Sequence, residues 1–183
     1  LYRFDLLTRD LTRIVVGDGL SQQSVWSPDG RQIAYLDNLQ NGPSRDIFTI
    51  EAEGVNKRQI TRNDALETSL AWSPDGSKIV YTFRQSSSPT RLHGLAVVDL
   101  DSGVSTTIHE AERRMSDVSW SPDGTLIAFS MAEGSDSSYI YTIQPDGANL
   151  KRLHGATSTN MMPRWSPDGS MISFSARERG NPY

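Results

Sequence analysis

Arginine supplies most of the positive charge of this sequence, since only three lysines accompany it. Arginines recur in the stretches before and after a five-residue motif, Trp-Ser-Pro-Asp-Gly, that appears several times. These arginines are Arg84, Arg91, Arg113, Arg114, Arg164 and Arg177. Because a guanidinium group recognises carboxylates through paired hydrogen bonds, arginines gathered on one surface would favour an acidic peptide or another carboxylate-bearing ligand. Scattered, solvated charges are the alternative interpretation.

Residues typical of catalysis or metal binding are few. The sequence has no Gly-x-Ser-x-Gly nucleophile elbow. Its three histidines, His93, His109 and His154, fall at different positions of the repeat described below, whereas a metal site needs three or four converging ligands. The stretch 99–103 is similar to a calcium loop, but its glycine comes one position too early. We therefore expect no catalytic residue, no metal and no cofactor.

The Trp-Ser-Pro-Asp-Gly motif organises the chain. Its four copies lie at 26–30, 72–76, 120–124 and 165–169. Proline presets φ, aspartate bonds its own backbone and glycine accepts a positive φ, so each copy predicts a hairpin turn. An apolar run with β-branched and aromatic residues follows each turn, for example Ile33 to Leu36, and predicts a strand. The tryptophan and aspartate of the motif are therefore interpreted as structural.

Each repeat contains a second strand pair, joined by a turn at Glu53-Gly54, Ser102-Gly103 or Asp146-Gly147. Four short strands in about 45 residues, without helical periodicity, are typical of a β-propeller blade. The sequence therefore predicts an all-β fold, a single β-propeller domain over 1–183 with four-stranded antiparallel blades. Complete blades are expected at about 20–61, 68–108 and 115–154.

The two ends of the sequence each supply half a blade. Residues 161–183 contain the first two strands of a blade, and residues 1–16 contain the last two. Pairing these terminal strands would close a ring of four blades and leave no strand edge exposed. The alternatives are a fragment or half of a larger propeller, including an eight-bladed ring of two chains. Because the sequence begins at Leu1 without methionine or signal peptide, we expect an excised or processed segment.

The repeated motif, followed by Ile-Ala-Phe/Tyr and then by Ile-Tyr with Asp-Gly, resembles the TolB-type propeller repeat, a relative of the WD repeat, from Leu1 to Tyr183. That repeat occurs in the periplasmic protein TolB, in non-catalytic propellers of prolyl oligopeptidase-like peptidases, in some lyases and in sensor domains. The resemblance implies a periplasmic or otherwise extracytoplasmic location. TolB itself is larger and carries an additional N-terminal domain.

The resemblance and the repeat together indicate where a ligand would bind. In a propeller, the connections before the first strand and after the second strand of each blade lie on one face, around the axial channel, and such loops carry function on a rigid scaffold. The candidate ligand-binding or partner-binding residues in or beside these connections are Gln23, Glu67, Arg84, Arg114, Asp117, Asn160, Arg164 and Arg177.

Composition narrows the class of partner. The net charge is −4, and no basic stripe runs along the chain, which argues against nucleic acid. No stretch approaches the roughly 18 apolar residues of a membrane helix, so we expect no membrane insertion. Cysteine is absent, which excludes disulfide and thiol chemistry.

Two functions of different class are consistent with these features. The first is a non-enzymatic, TolB-like scaffold or interaction module, monomeric or homodimeric, that binds a peptide or partner protein on the loop-rich face. The second is a propeller enzyme such as a metal-dependent lyase, in which histidines and carboxylates would meet at the axial channel. A non-catalytic propeller of a larger peptidase or sensor protein is a further possibility.

Overall fold

The computed structural model describes residues 1–15, 22–38, 44–85, 92–153 and 159–177, and in these ranges the chain is entirely β-strand, turn and irregular backbone. The described ranges form sixteen strands. Three groups of four antiparallel strands, called the first, second and third sheets, make up the centre of the chain, and a strand pair lies at each end. The C-terminal pair joins the third group in one six-stranded sheet. The all-β prediction is confirmed.

The strands follow the repeat. The N-terminal pair is β1 (Tyr2–Phe4) and β2 (Leu11–Arg13). The first sheet contains β3 (Gln22–Trp26), β4 (Gln32–Asp37), β5 (Asp46–Glu51) and β6 (Arg58–Gln59). The second contains β7 (Ala65–Trp72), β8 (Lys78–Gln85), β9 (His93–Asp99) and β10 (Ser105–Ala111). The third contains β11 (Met115–Trp120), β12 (Ile127–Glu133), β13 (Ser137–Ile143) and β14 (Lys151–Arg152). The C-terminal pair is β15 (Thr159–Trp165) and β16 (Ile172–Arg177).

The Ser-Pro-Asp-Gly turn is held by the serine and the aspartate together. In the third sheet, the Ser121 hydroxyl donates to Asp123 at 2.6 Å and accepts from the backbone N–H of Leu126 at 2.9 Å. Asp123 also accepts from the N–H of Thr125, and Gly124 takes a φ of 72°. The same bonds recur at the other three turns. Each motif therefore closes the hairpin between the first and second strands of its sheet.

The tryptophan of the motif connects neighbouring sheets. Trp72 on β7 donates its indole N–H to the carbonyl of Val25 on β3, at 3.2 Å. Trp165 on β15 donates in the same way to the carbonyl of Ser119 on β11, at 3.3 Å. Trp72 is 9% exposed, whereas Trp26, which lies on the first strand of the first four-stranded sheet, is 51% exposed. The first strand of each sheet therefore lies against the first strand of the sheet before it.

The hydrophobic core lies between the sheets. Residues on opposite faces of β4 are buried alike, with Ile33, Ala34, Tyr35 and Leu36 at most 4% exposed. One apolar cluster fills the space between the first and second sheets, and another lies between the second and third. Because strands covered on both faces read as continuous apolar runs, each sheet depends on its neighbours for burial.

A bulge interrupts the first strand of every sheet. The pairing register shifts at Gln23 in β3, at Thr68 in β7, at Asp117 in β11 and at Met162 in β15. Gln23, Asp117 and Met162 have positive φ values of 45°, 58° and 58°. Side chains other than glycine rarely adopt this conformation, and a bulge redirects the side chains around it. The propeller pattern did not predict these bulges.

The terminal strands are not paired with each other among the described residues. β1 and β2 form a separate two-stranded sheet, and β16 pairs with β15. A single parallel pairing, Ser138 with Thr159, joins β15 to the third sheet. The hairpin β1–β2 packs on the outer side of the first sheet, so three sheets separate it from β16. The closed four-bladed ring expected from the sequence is therefore not formed by the described strands.

The burial of the tryptophans predicts unequal effects of the same substitution. We expect Trp72→Ala to lower the free energy of unfolding by about 3–5 kcal/mol, because it removes a large buried side chain between two sheets. Trp26→Ala should cost clearly less, since half of that side chain is exposed. Urea unfolding of both variants and the parent measures the difference. Equal losses for the two variants would contradict the role of the indole between the sheets.

Candidate partner-binding face

One end of the sheets carries the connections predicted to bind a partner. The described parts include 61–64, 112–114 and 134–136. The stretches 16–21, 39–43, 86–91, 154–158 and 178–183 lie outside the described residues, and with them Arg91 and His154. The face is therefore described here through the strand ends that border it.

Neighbouring sheets join at this face through a parallel strand contact. Arg45, just before β5, pairs with Leu66 on β7. Ser138 on β13 pairs with Thr159 on β15 in the same way. Leu66 and Thr159 each lie six residues before a motif tryptophan, and Arg114 has the same position in the third sheet. By strand register, His93 of the second sheet corresponds to Arg45 and Ser138. No such pairing joins His93 to Arg114 among the described residues, so this junction is held differently from the other two.

Three basic side chains gather at the junction of the second and third sheets. Arg84 on β8 lies directly opposite His93 on β9. Arg114 precedes β11 and is near enough to act on His93 electrostatically. Burial, followed by the positive charges of Arg84 and Arg114, lowers the pKa of His93 below its usual value. Arg84 and Arg114 are both exposed, so two cations face solvent beside a half-buried imidazole.

The backbone next to His93 is fixed by a close ring contact. Phe83 on β8 packs its ring directly over Gly94, and a Cβ added to Gly94 would lie 2.2 Å from that ring. Any larger residue at this position would displace Phe83, which is 8% exposed. Because Gly94 has no side chain, the ring of Phe83 can pack against the backbone of β9 next to His93.

Arg113 belongs to a different arrangement. Its guanidinium lies 4.0 Å from the carboxylate of Glu133, which also accepts from Arg152 at 3.1 Å. Arg152 in turn lies over the ring of Tyr139, 3.5 Å from its centre. By contrast, Arg84 and Arg114 form no ion pair with an acidic side chain in the described part of the chain.

Glu67 is fully buried and joins the first two sheets. Its carboxyl accepts from the Thr61 hydroxyl at 2.9 Å and from the Asn63 amide at 3.2 Å. Its backbone N–H donates to the carbonyl of Arg45, at 3.2 Å. Burial raises the pKa of Glu67 to about 8, the charge of Asp46 acts in the same direction, and the two side-chain hydrogen bonds oppose it. Glu67 is therefore largely protonated at neutral pH and presents no surface to a ligand.

Asn160 has the equivalent place on β15 and is 2% exposed. Its side-chain amide donates to the carbonyl of Ser138 at 3.0 Å, and its backbone N–H donates to the Ser138 hydroxyl at 3.1 Å. The corresponding residue of β11 is Met115, which is 1% exposed. The residue five positions before the motif tryptophan is thus buried on β7, β11 and β15 alike. The sequence did not indicate this burial for Glu67 and Asn160.

Gln23 and Asp117 occupy the bulges of the first strands. Gln23 is exposed, and Asp117 is half-buried. The Asp117 carboxylate accepts from the hydroxyls of Ser116 at 3.0 Å and Ser130 at 3.4 Å. First strands contact one another across sheets, as when the N–H of Val118 donates to the Ser69 hydroxyl at 3.1 Å. The bulged residues therefore lie on the innermost strand of each sheet.

Arg164 and Arg177 lie at opposite ends of the C-terminal strand pair. Arg177 is opposite Thr159, at the partner-binding face. Arg164 immediately precedes Trp165, and therefore lies beside the Ser-Pro-Asp-Gly turn at the other end of the strand. The expected gathering of arginines on one rim does not extend to Arg164, because strand direction carries it away from Arg84 and Arg114. The position of Arg164 directly before Trp165 could have indicated from the sequence that this arginine lies at the other end of the strand.

Among the residues that the structure describes, no three His, Asp or Glu side chains are grouped so that they could hold a metal ion. Burial lowers the pKa of His109, whose ring lies 6.4 Å from that of Phe129. The described ranges contain no helix long and apolar enough to cross a membrane.

The raised pKa of Glu67 predicts a pH-dependent stability. The folded state keeps the Glu67 proton, whereas the unfolded state releases it above about pH 4.5. The contribution of Glu67 to the free energy of unfolding is therefore complete below that pH and is lost as pH rises through about 8. Glu67→Gln should abolish this part of the fall, on the order of a few kcal/mol. Urea unfolding at several pH values compares the two proteins. Parallel stability curves for parent and variant would contradict the prediction.

Comparison with known proteins gives structural rather than sequence matches. No protein-family model matches the chain, and no curated protein sequence matches it. Among solved structures, a TolB of Agrobacterium tumefaciens superposes with a TM-score of 0.80 at 25% identity, over 97% of this chain and 62% of that one. An oligogalacturonate lyase in complex with manganese gives 0.80 at 20% identity, over 99% and 53%.

A chain of a nidogen/laminin complex superposes with a TM-score of 0.70 at 12% identity, over 96% of this chain and 63% of that one. The protein thus spans between about half and two thirds of the length of these three structures. The likeness covers nearly all of this chain, and it agrees with the repeat that the motif defines. The fold is a TolB-like β-propeller.

Proposed function

We propose that this protein is a non-enzymatic interaction module that binds an acidic peptide or an acidic segment of a partner protein at the junction of its second and third sheets. The observation that carries the proposal is the group formed by Arg84, His93 and Arg114. Two exposed guanidinium groups that form no ion pair with an acidic side chain in the described chain are suited to carboxylates, which they can bind through paired hydrogen bonds.

The junction differs from the other two in a way that favours binding. Where Arg45 pairs with Leu66 and Ser138 with Thr159, backbone groups of adjacent sheets are joined. At the junction of His93 and Arg114 no such backbone pairing is formed in the described ranges. The side chains of Arg84 and Arg114 lie there instead, and their positive charges repel each other. An anionic ligand placed between the arginines would relieve this repulsion. A binding contribution is thus available here that a scattered set of solvated charges would not supply.

The similar structures support an interaction role at the level of the fold. One of them comes from a nidogen/laminin complex, an assembly of two proteins. By its resemblance to TolB, we also propose an extracytoplasmic location for the protein. The likeness to a lyase with manganese concerns the fold at 20% identity, and no observation on the described residues favours that activity for this chain.

Charge reversal at the junction tests the proposal. A fluorescently labelled glutamate-rich peptide serves as the probe, with binding followed by anisotropy at low and physiological salt. We expect Arg84→Glu with Arg114→Glu to weaken binding by on the order of tenfold or more, because like charges then face the ligand. Added salt should weaken binding to the parent protein.

Arg164→Glu is the matched control. It reverses the same charge on another exposed arginine, but at the far end of the strands. If the junction is the site, this variant should bind the peptide nearly as the parent does. Equal weakening in all variants would show that net charge alone governs binding, and an absence of peptide binding to the parent protein would overturn the proposal.

A further inference from the structure

A cavity lies between the first and second sheets, at the end of the strands where the Ser-Pro-Asp-Gly turns are found. Its volume is about 240 Å³. At roughly 30 Å³ for each molecule of liquid water, this corresponds to about eight waters. Sites for drug-sized ligands are larger, at about 300–1,000 Å³. The cavity therefore has the size of a small metabolite, and it lies at the opposite end of the strands from Arg84 and Arg114.

The turn between β9 and β10 takes a wider form than its equivalents in the other two sheets. The N–H of Asp99 donates to the carbonyl five residues ahead, whereas the equivalent N–H groups of Glu51 and Gln144 donate to the carbonyl four residues ahead. In the described ranges, no atom beyond its chain neighbours lies within 4 Å of the place where a Cβ on Gly103 would be. At its glycine, the wider turn therefore makes no close contact with the first sheet.

In the third sheet, the narrower turn does make that contact. A Cβ added to Gly147 would lie 2.6 Å from the carbonyl oxygen of Ile108, on the last strand of the second sheet. By strand register, the residue of the first sheet that corresponds to Ile108 is Ile60. Ile60 lines the cavity. The space beside Ile60 thus stays open because Gly103 does not reach it.

The two walls of the cavity carry opposite charges. Arg58 lines the wall formed by the first sheet, and Asp75 and Asp101 line the wall formed by the second. Asp75 accepts from the Ser73 hydroxyl within its own turn, which lowers the pKa of Asp75 to about 2. Arg58 and Asp101 form no ion pair in the described ranges, with each other or with another side chain. The cavity therefore separates an unpaired cation from an unpaired anion.

Apolar side chains line the same cavity. Trp72 is 9% exposed, and Ile60 and Leu100 are half-buried. The buried Thr49 adds a polar side chain to the wall of the first sheet. Because removing apolar surface from water is favourable, an apolar group of a ligand would be bound against Trp72, Ile60 and Leu100.

The equivalent place between the second and third sheets lacks these opposed charges. By strand register, Arg58 corresponds to Thr106. The cation on that wall is Lys78, whose ammonium group lies 3.0 Å from the carboxylate of Asp99. On the other wall, Asp146 corresponds to Asp101 and accepts from the N–H of Ala148 within its own turn. Among the described junctions, the unpaired charges thus belong to the first and second sheets.

We propose that this cavity binds a free α-amino acid with an apolar side chain. Arg58 holds the carboxylate of the amino acid, because a guanidinium forms paired hydrogen bonds with a carboxylate. Asp101 holds the ammonium group, and the side chain of the amino acid lies against Trp72, Ile60 and Leu100. A ligand with both charges is preferred to a simple anion or cation, because it leaves neither Arg58 nor Asp101 unpaired.

Calorimetric titration of the whole protein with L-leucine tests the proposal. We expect saturable binding with a Kd in the millimolar range, since the charged walls remain in contact with water. Two analogues separate the contributions of the charges: L-leucinamide lacks the carboxylate, and isocaproate lacks the ammonium group. Each analogue should bind about tenfold more weakly than leucine, because it leaves one charge of the cavity unpaired.

Arg58→Gln and Asp101→Asn remove the two charges one at a time. Both side chains are exposed, so the circular dichroism of the variants should match that of the parent. Each variant should bind leucine about tenfold more weakly, whereas Arg58→Gln should leave the binding of leucinamide unchanged. Lys151→Gln and Asp146→Asn are the matched controls, because these residues have the equivalent positions in the third sheet. Both controls should bind leucine as the parent does.

Two results would overturn the proposal. The first is a parent protein that shows no saturable binding of L-leucine, L-valine or L-methionine at millimolar concentrations. The second is binding that the control variants weaken as much as Arg58→Gln and Asp101→Asn do, or that both analogues reproduce in full, because the paired charges would then play no part. Neither result bears on peptide binding at Arg84 and Arg114.

Discussion

The packing of a motif tryptophan against the sheet before it is the interaction on which the rest of the structure depends. Trp120 is 8% exposed and packs against the second sheet without a hydrogen bond from its indole N–H, whereas two other tryptophans also donate to a backbone carbonyl. Trp72 donates to Val25 between the first and second sheets, and Trp165 donates to Ser119 further along. The contact places first strands side by side, and apolar clusters then fill the space behind them. Because each sheet is buried on both faces, a single repeat cannot bury its own apolar surface.

This dependence on neighbours decides where function can reside. Inside the stack, polar side chains must satisfy one another, as Glu67 does with Thr61 and Asn63. A buried carboxyl is tolerated because it holds its proton, which avoids the cost of an isolated buried charge. Exposed charge lies outside this stack, on outer strands, in turns and at strand ends. The exposed Arg84 and Arg114 lie at strand ends, at a junction that lacks the backbone pairing seen at its two neighbours.

Much of the fold could be predicted because its signals are local. Ser-Pro-Asp-Gly specifies its own turn through bonds within six residues, such as those of Ser121, and the apolar run Ile33 to Leu36 lies in a strand as predicted. The bulges were missed because Gln23 and Asp117 take a positive φ without a glycine to mark it. The burial of Glu67 and Asn160 was missed because their partners come from the preceding repeat, which local pattern does not report.

The ends of the chain show how far a repeat pattern can be extended. The pattern predicted that the terminal strands are the inner and outer halves of one blade, but it could not decide whether these two halves meet. That choice depends on curvature, which accumulates from small rotations between neighbouring sheets and leaves no mark in any single motif. Phe174 and Trp26 therefore carry information that their sequence equivalents do not. Phe174 is 40% and Trp26 51% exposed, although the equivalent Phe129 and Trp72 are buried, so their exposure marks the two ends of the stack of described sheets.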